Sequence, residues 1–591
     1  MSELSSSYNK FPSHLLPEGS SISTGEEIWA LLAETATERN AHSPVIAIDA
    51  YPGSDVKGLI DHASSALKSY RVINVERAAR SAVEIDEMIS TTLTQDRVLG
   101  FMNEFDIAAF FDPAALDAVH EDIASSRGGV VVTGWGAQLV APEHGVLALA
   151  DMARWEIQAR YRSGGSNWRA DNGSEDILRK YKRGYFVEWR SADRHKVALF
   201  DHVDFVIDAN AAVNELRMID GIAFRSALKH LTERPIRMVP FFDPSVWGGH
   251  WMKDNFSLDG DSGNYGWCFD CVPEENSLVL TDGKQFFEIP AIDLVLSEPK
   301  GLLGELTFER FGAEFPIRFD LLDTMGGGNL SLQVHPMPEY MLHNFGMPYT
   351  QDESYYILDA DEDAVVYLGL KPEVDQSEME QALRDSQDPE KPFDADKFIN
   401  KFPVAKHDHL SIPAGTVHAS GANTVVLEIS ATPYIFTFKL WDWARLGLDG
   451  LPRPVHLDHG INNIQWNRDS AWIESEILGK TEVISQDANV LEERTGLHPL
   501  QFIEVRRRWF DTAVHHDSRG TVNVLNLVEG DAVDVVSPTG MFEPFLVNYA
   551  ETFIIPAAVG PYVIQPADSA TSTNFATVKA YVRGTEVYPE P

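Results

Sequence analysis

The stretch GGGNLSLQVHPMPEY, residues 326–340, sets a glutamine and a histidine two positions apart in an apolar alternation that ends at a proline. Period two is strand geometry, so Gln333 and His335 leave one face while Leu332 and Val334 leave the other. Working outward, Glu353 heads another strand in TQDESYYILD, and His418 stands just after the proline-glycine turn of DHLSIPAGTVHAS. Taken singly, His335 reads as a core histidine and Glu353 as a solvated strand end. Together, two imidazoles, a carboxylate and an amide oxygen on strands of one antiparallel module form a mixed N/O donor set for a divalent ion. With water in the remaining positions, such a site is catalytic rather than structural.

The chain has 591 residues, too many for one core, and by length divides into roughly three or four domains. Hydrophobic residues make up 44% and charged residues 23%, an ordinary globular composition. With 48 Lys plus Arg against 89 Asp plus Glu, the net charge of -41 repels nucleic acid and anionic membranes. It leaves room for an anionic small molecule, because salt screens the diffuse field within about 10 Å and a few local cations dominate a pocket. No run approaches the roughly 18 apolar residues of a membrane span, and the first residues lack a signal-peptide core, so a cytoplasmic protein is expected. Cys268 and Cys271 have redox or zinc spacing, but no second pair completes a zinc site and the flanking aromatics read as strand.

Residues 1–24 are polar and Ser-rich, an expected loose arm. Residues 25–240 alternate helices with buried strands such as SPVIAIDAY, SYRVINV, GGVVVTGW and HVDFVIDAN, the pattern of a parallel α/β sheet. Beyond 240, strand-length runs follow one another with turn residues between them, as sandwich or barrel modules do. Two such modules are expected, 241–480 and 481–591, the first interrupted by an acidic helical insertion at 372–402. The turn in DHLSIPAGTVHAS has a shadow in AETFIIPAAVGPYVI, where the same count from the proline lands on Pro561 in place of His418. The second module is therefore expected to hold no metal, and His515 and His516 read as surface.

VIAIDAYPGSDVKGLIDHASSAL, residues 45–67, runs strand, turn, helix where a P-loop would sit, but no Gly-Lys-Ser/Thr opens the helix. The layout resembles a degenerate nucleoside or uridine kinase, with ILRKYKRGYFVEWRSADRHK, residues 177–196, similar to its basic lid. That resemblance implies a basic segment able to hold a phosphorylated ligand; a solvated helix face is the competing reading.

FPIRFDLLDTMGGGNLSLQVHP, ESYYIL, HLSIPAGTVHA and KLWDWARLGLDGLPRPVHL resemble, in order, segments of the type I mannose-6-phosphate isomerases, cupin-superfamily enzymes. VWGGHWM and GWCFDCVPEENSLVL look like that family's opening strands. The resemblance covers about residues 240–591. It implies a multidomain α+β chain with two jelly-roll cupin modules, and one zinc on Gln333, His335, Glu353 and His418. It further implies interconversion of mannose 6-phosphate and fructose 6-phosphate through a cis-enediol, with Arg445 matching a family arginine. Lys439 stands where the family has an arginine, and Gln351 where it has a lysine; lysine supplies a point charge but no guanidinium fork. A sugar-phosphate sensor without turnover and an iron cupin oxygenase remain as alternatives, since ligand type leaves iron and manganese open.

Overall fold

The computed structural model describes residues 7–258, 260, 262–388, 390–431, 436–496 and 498–587. The chain forms two compact units, Ser13–His230 with Ser277–Ser297, and Met1–Pro12 with Leu231–Asn276 and Glu298–Pro591.

The first unit opens with Ser13–Leu15 (β1) and Ser23–Thr24 (β2). Strands and helices then alternate through Val45–Ala50 (β3), Tyr70–Asn74 (β4), Gly129–Gly134 (β5), Val146–Asp151 (β6), Phe205–Asp208 (β7) and Arg217–Asp220 (β8). The sheet order is β2-β8-β7-β6-β3-β5-β4, with β4, β5, β3, β6 and β7 parallel and β8 antiparallel to β7. Every residue of β3 is buried, the reason such strands read as unbroken apolar runs. After β3, Asp55 caps the helix Val56–Ala66 by accepting the Gly58 N–H. A carboxylate thus occupies the helix N-terminus where a phosphate cradle needs open amides.

Within the basic segment 177–196, Lys180, Lys182, Arg183 and Lys196 are buried. Lys180 Nζ donates to the carbonyls of Tyr161, Gly165 and Gly173 at 2.6, 3.0 and 3.0 Å, and Lys182 Nζ to Leu93 O at 2.6 Å. Arg183 pairs with Glu188 and Asp86, and Lys196 with Asp151 and Asp293. The charge of these four residues is spent on internal carbonyls and carboxylates, while Arg179 and Arg194 of the same segment are exposed.

The chain next gives Phe241–Asp243 (β9) and Trp267–Cys271 (β10) to the second unit. It then gives the hairpin Ser277–Thr281 (β11) and Phe286–Pro290 (β12) to the first, where β11 pairs in parallel with β1. The sequence reading placed this hairpin in the cupin module. It belongs elsewhere because the helix that follows it buries Asp293 against Lys196 at 2.6 Å.

The second unit continues with Arg318–Asp323 (β13), Leu332–Val334 (β14), Glu353–Ala360 (β15) and Val365–Leu370 (β16). Ile399–Pro403 (β17), His409–Ile412 (β18), His418–Ser420 (β19), Thr424–Ser430 (β20) and Phe438–Trp441 (β21) complete its first β module. Between β16 and β17 lie the helices Gln376–Asp385 and Ala395–Phe398, so the end of the expected insertion is strand. The second module comprises Glu482–Gln486 (β22), Val490–Thr495 (β23), Ile503–Phe510 (β24), Val514–Asp517 (β25) and Asn523–Glu529 (β26). It closes with Ala532–Val536 (β27), Phe545–Asn548 (β28), Thr552–Ile555 (β29), Pro561–Pro566 (β30) and Phe575–Val582 (β31).

The two modules repeat strand for strand except for β21, which has no counterpart in the second. The sheets β18-β15-β20-β13-β10-β9 and β17-β16-β19-β14-β21 of the first correspond to β29-β26-β31-β24-β23-β22 and β28-β27-β30-β25 of the second. Leu525 of β26, Val533 of β27 and Ile564 of β30 share one buried cluster, so the second module is a two-sheet sandwich closed on an apolar core. The arm is not loose where it is described: Tyr8 is buried and its hydroxyl donates to Asp270 at 2.8 Å. Cys268 and Cys271 are buried free thiols on β10, and the Cys268 thiol is pushed well up by burial and by Asp270.

Candidate metal centre

In the first module β14 lies between β19 and β21, with Gln333 opposite His418 on one side and Lys439 on the other. Paired residues of adjacent strands point to the same face, so Lys439, Gln333 and His418 form one row. His335 follows on the same chain, just past the end of β14. Glu353 opens β15 in the other sheet, paired with Ile412 and Ser430. The sandwich interior is where the two sheets' polar residues meet.

They meet closely. Glu353 Oε2 lies 2.9 Å from His335 Nε2 and Glu353 Oε1 2.7 Å from His418 Nε2, and Gln333 Nε2 is 3.1 Å from His418 Nε2. One candidate ligand atom from each of His335, Glu353 and His418 lies within 4.8 Å of the others. His335 and His418 are 0% exposed and Glu353 1%.

The backs of the two rings fix what their fronts offer. His335 Nδ1 donates to Phe436 O at 3.1 Å and His418 Nδ1 to Thr416 O at 2.8 Å. With the proton on Nδ1, each Nε2 presents a lone pair, and both lone pairs face an acceptor carboxylate. His335 Nε2 and Glu353 Oε1 are buried without a hydrogen-bond partner. A cation between them satisfies both, so the donor set fits a divalent metal. In its absence burial pulls the His335 imidazole down, and Glu353 more than reverses that, for a net rise. Burial pushes Glu353 up, and His335 and His418 outweigh it, holding the carboxyl well below its usual range.

Gln351 is buried and its amide donates to Glu353 Oε2 at 3.1 Å. Arg445 donates to Asp442 at 2.5 Å, and Asp442 also binds Arg453 and the Ser331 hydroxyl. A Cβ on Gly328 would sit 3.3 Å from Arg445 Nη1, so the glycine run lets the guanidinium approach the 326–328 turn. Burial raises the Asp442 carboxyl, and Lys439, Arg453 and Arg445 together lower it below its usual value.

Sequence reasoning missed a second group of acids. On the face shared with Glu353, Asp320 of β13 is opposite Glu428 of β20, which is opposite Tyr355 of β15. Burial raises both acids, Glu428 further through Glu353 and Asp320, while Arg318 tempers Asp320, which settles at about 7. Their only sequence signal is an acid inside an apolar strand, in RFDLLD and TVVLEIS. His516, read as surface, is 8% exposed.

Residues 27–233 match a family described as a domain of unknown function, DUF8485. The chain is 26% identical over 246 residues to a mannose-6-phosphate isomerase of Streptococcus mutans serotype c, covering 41% of this chain and 72% of that one. It is 26% identical over 236 residues to mannose-6-phosphate isomerase ManA of Bacillus subtilis, covering 40% of this chain and 69% of that one. Among solved structures, the mannose 6-phosphate isomerase from Bacillus subtilis overlaps 59% of this chain and 99% of its own, at 19% identity and a TM-score of 0.47. That overlap is too loose to speak for function. Over about 40% of its length, the chain is homologous to mannose-6-phosphate isomerases.

Proposed function

We propose that the first β module is a zinc-dependent aldose-ketose isomerase site that interconverts mannose 6-phosphate and fructose 6-phosphate through a cis-enediol. The observation that carries this reading is the triad His335, Glu353 and His418, its ring Nδ1 atoms tied back and its Nε2 lone pairs turned onto one carboxylate. Homology to mannose-6-phosphate isomerases supplies the substrate. Gln333, His335, Glu353 and His418 hold the ion, which when bound polarises a sugar carbonyl and stabilises developing negative charge. Lys439, in the row beside Gln333, carries the proton between C1 and C2 on its Nζ. Arg445, fixed by Asp442, anchors the phosphate. The β3-to-helix turn supports reading the first unit as a kinase-type sheet that has exchanged its phosphate cradle for the Asp55 cap.

A second reading, a sugar-phosphate sensor without turnover, draws on Gln351, an amide where the family has lysine. The two-His, one-Glu set also suits iron in a cupin oxygenase. One experiment separates all three: elemental analysis of protein purified without added metal, beside assays of mannose 6-phosphate conversion and oxygen uptake. The expected result is one zinc per chain with turnover, both lost in His335→Ala and His418→Ala. Stoichiometric metal retained in both variants refutes the site; saturable binding without turnover supports the sensor.

A further inference from the structure

The second β module repeats the sheets of the first but not its metal donors. Asn523 is opposite Ile555 of the second Ile-Pro-Ala turn, as Glu353 is opposite Ile412 of the first, so an amide stands in the carboxylate's place. Tyr562, paired with His516, donates its hydroxyl to Asn523 Oδ1 at 3.0 Å. What this module offers the first lies outside its own interior, in the loop that leads into β24. There Gln501 reaches across to the strand that carries Glu353. Its Nε2 donates to Glu353 O at 2.8 Å, and its Oε1 accepts the Ser411 hydroxyl at 2.9 Å. A carbonyl only accepts, so the amide has one orientation and the hydroxyl falls to its oxygen.

The place of this contact matters more than its strength. Glu353 is the first residue of β15, and residues 346–352 before it lie outside helix and strand. Ser411 lies on β18 opposite Ser354, and β18 runs into the turn that sets His418. One amide of the second module therefore bridges the strand that carries Glu353 and the strand that leads to His418. Ser354 is tied to the second module as well: its Oγ is 2.9 Å from His409 Nε2, whose Nδ1 is 2.9 Å from Thr495 Oγ1 on β23. A cavity of about 10 Å³, room for roughly one water, lies beside the contact, with Asp352, Ser354, Phe502 and Val505 in its wall. The modules are not pressed together at this point, so hydrogen bonds rather than packing fix the peptide of Glu353. Gln501 is 7% exposed and Ser411 2%, which shields these bonds from competing water.

We propose that the second module braces the metal centre of the first, with Gln501 as the positioning residue that sets the backbone of Glu353 and so the aim of its carboxylate. The role rests on the metal centre proposed above, and concerns how tightly that centre holds zinc rather than which sugar it turns over. Groups that orient metal ligands contribute about ten- to hundredfold in affinity, because a ligand already in place loses little freedom when the ion binds.

The test measures the zinc dissociation constant of the full chain by chelator competition, for the natural sequence, Gln501→Met and Lys406→Met. Gln501→Met keeps the length of the side chain and removes both hydrogen bonds. Lys406→Met breaks another contact between the modules, the pair with Glu529 at 2.6 Å, which does not touch Glu353. Zinc should bind about tenfold or more weakly to Gln501→Met and with unchanged affinity to Lys406→Met. In the natural chain, saturating zinc should slow amide hydrogen exchange in residues 498–503 and leave residues 532–548 unchanged, since coupling between the ion and the brace is reciprocal; this readout is independent of how any variant folds. Equal affinity in Gln501→Met, equal weakening in both variants, or exchange at 498–503 indifferent to zinc overturns the brace and leaves the centre standing. A natural chain that binds no zinc overturns both.

Discussion

Acid should weaken the second unit through one histidine outside the proposed ligand set. His409 places Nδ1 2.9 Å from Thr495 Oγ1 and Nε2 2.9 Å from Ser354 Oγ, between the two β modules. Burial, and then the charge of Arg507, pushes its imidazole down to about 3. A depressed histidine disfavours the protonated fold, so its contribution is present above the unfolded value of ~6.5 and is lost as pH falls toward the folded value. The full loss is ~4.8 kcal/mol, spread from pH ~6.5 down to ~3. Between pH 7 and pH 5 the share is ~1.9 kcal/mol, and a folded value one unit higher changes it by only ~0.1 kcal/mol, because the unfolded chain takes up nearly all the proton in that window. The assay is urea unfolding of the metal-loaded chain at both pH values, for the natural sequence and for His409→Gln. Other titrating groups cancel in the difference, so the natural chain should lose ~1.9 kcal/mol more than the variant. Equal losses refute the burial argument.

Three further outcomes follow from close contacts. A Cβ at Gly327 would stand 2.3 Å from Trp247 O, backbone that cannot step aside, so Gly327→Ala should cost ~1–3 kcal/mol in urea unfolding. Lys196 is 1% exposed and pairs with Asp151 and Asp293, so Lys196→Met should destabilise the first unit by ~3–5 kcal/mol, read as a lower thermal midpoint. Gln351→Lys places an ammonium beside Glu353 and should raise mannose 6-phosphate turnover by about tenfold or more at unchanged zinc content; unchanged turnover removes Gln351 as a determinant of rate.

What the sequence disclosed of the site depended on locality. Gln333 and His335 declare a shared face within three residues, and the Pro-Gly turn before His418 marks where a strand begins. Asp320 and Glu428 made no such declaration. Whether an acid in an apolar strand points inward is decided by its pairing, here β13 with β20 across more than a hundred residues of chain. The hairpin at 277–290 was misplaced for the same reason: its own pattern says only strand, and its ownership is set by a buried ion pair with Lys196. β6 escaped notice because only the short 3-10 turn Ala137–Val140 separates it from β5. The basic segment 177–196 shows the converse hazard, since cationic composition cannot reveal that Lys180 and Lys182 are consumed by backbone carbonyls.

At matching interior positions the two modules differ in charge. Apart from β21, sheet order is preserved while Glu353, Asp320 and Glu428 give way to Asn523, Arg506 and Lys579. Apolar alternation fixes the sandwich, so the few polar inward positions are free to change charge without changing fold. A ligand graft tests this directly. Asn523→Glu with Tyr562→His restores a carboxylate and an imidazole beside His516, a plausible ligand set by residue type alone. Arg506, Arg508 and Lys579 would pair with the new carboxylate and repel a divalent ion, since like charges in a buried site raise the cost of both. The double variant should therefore show no zinc beyond that of the first module in elemental analysis, and adding Arg506→Gln and Lys579→Gln should increase uptake. Zinc bound at full occupancy by the double variant alone would show that ligand identity outweighs the field of the interior.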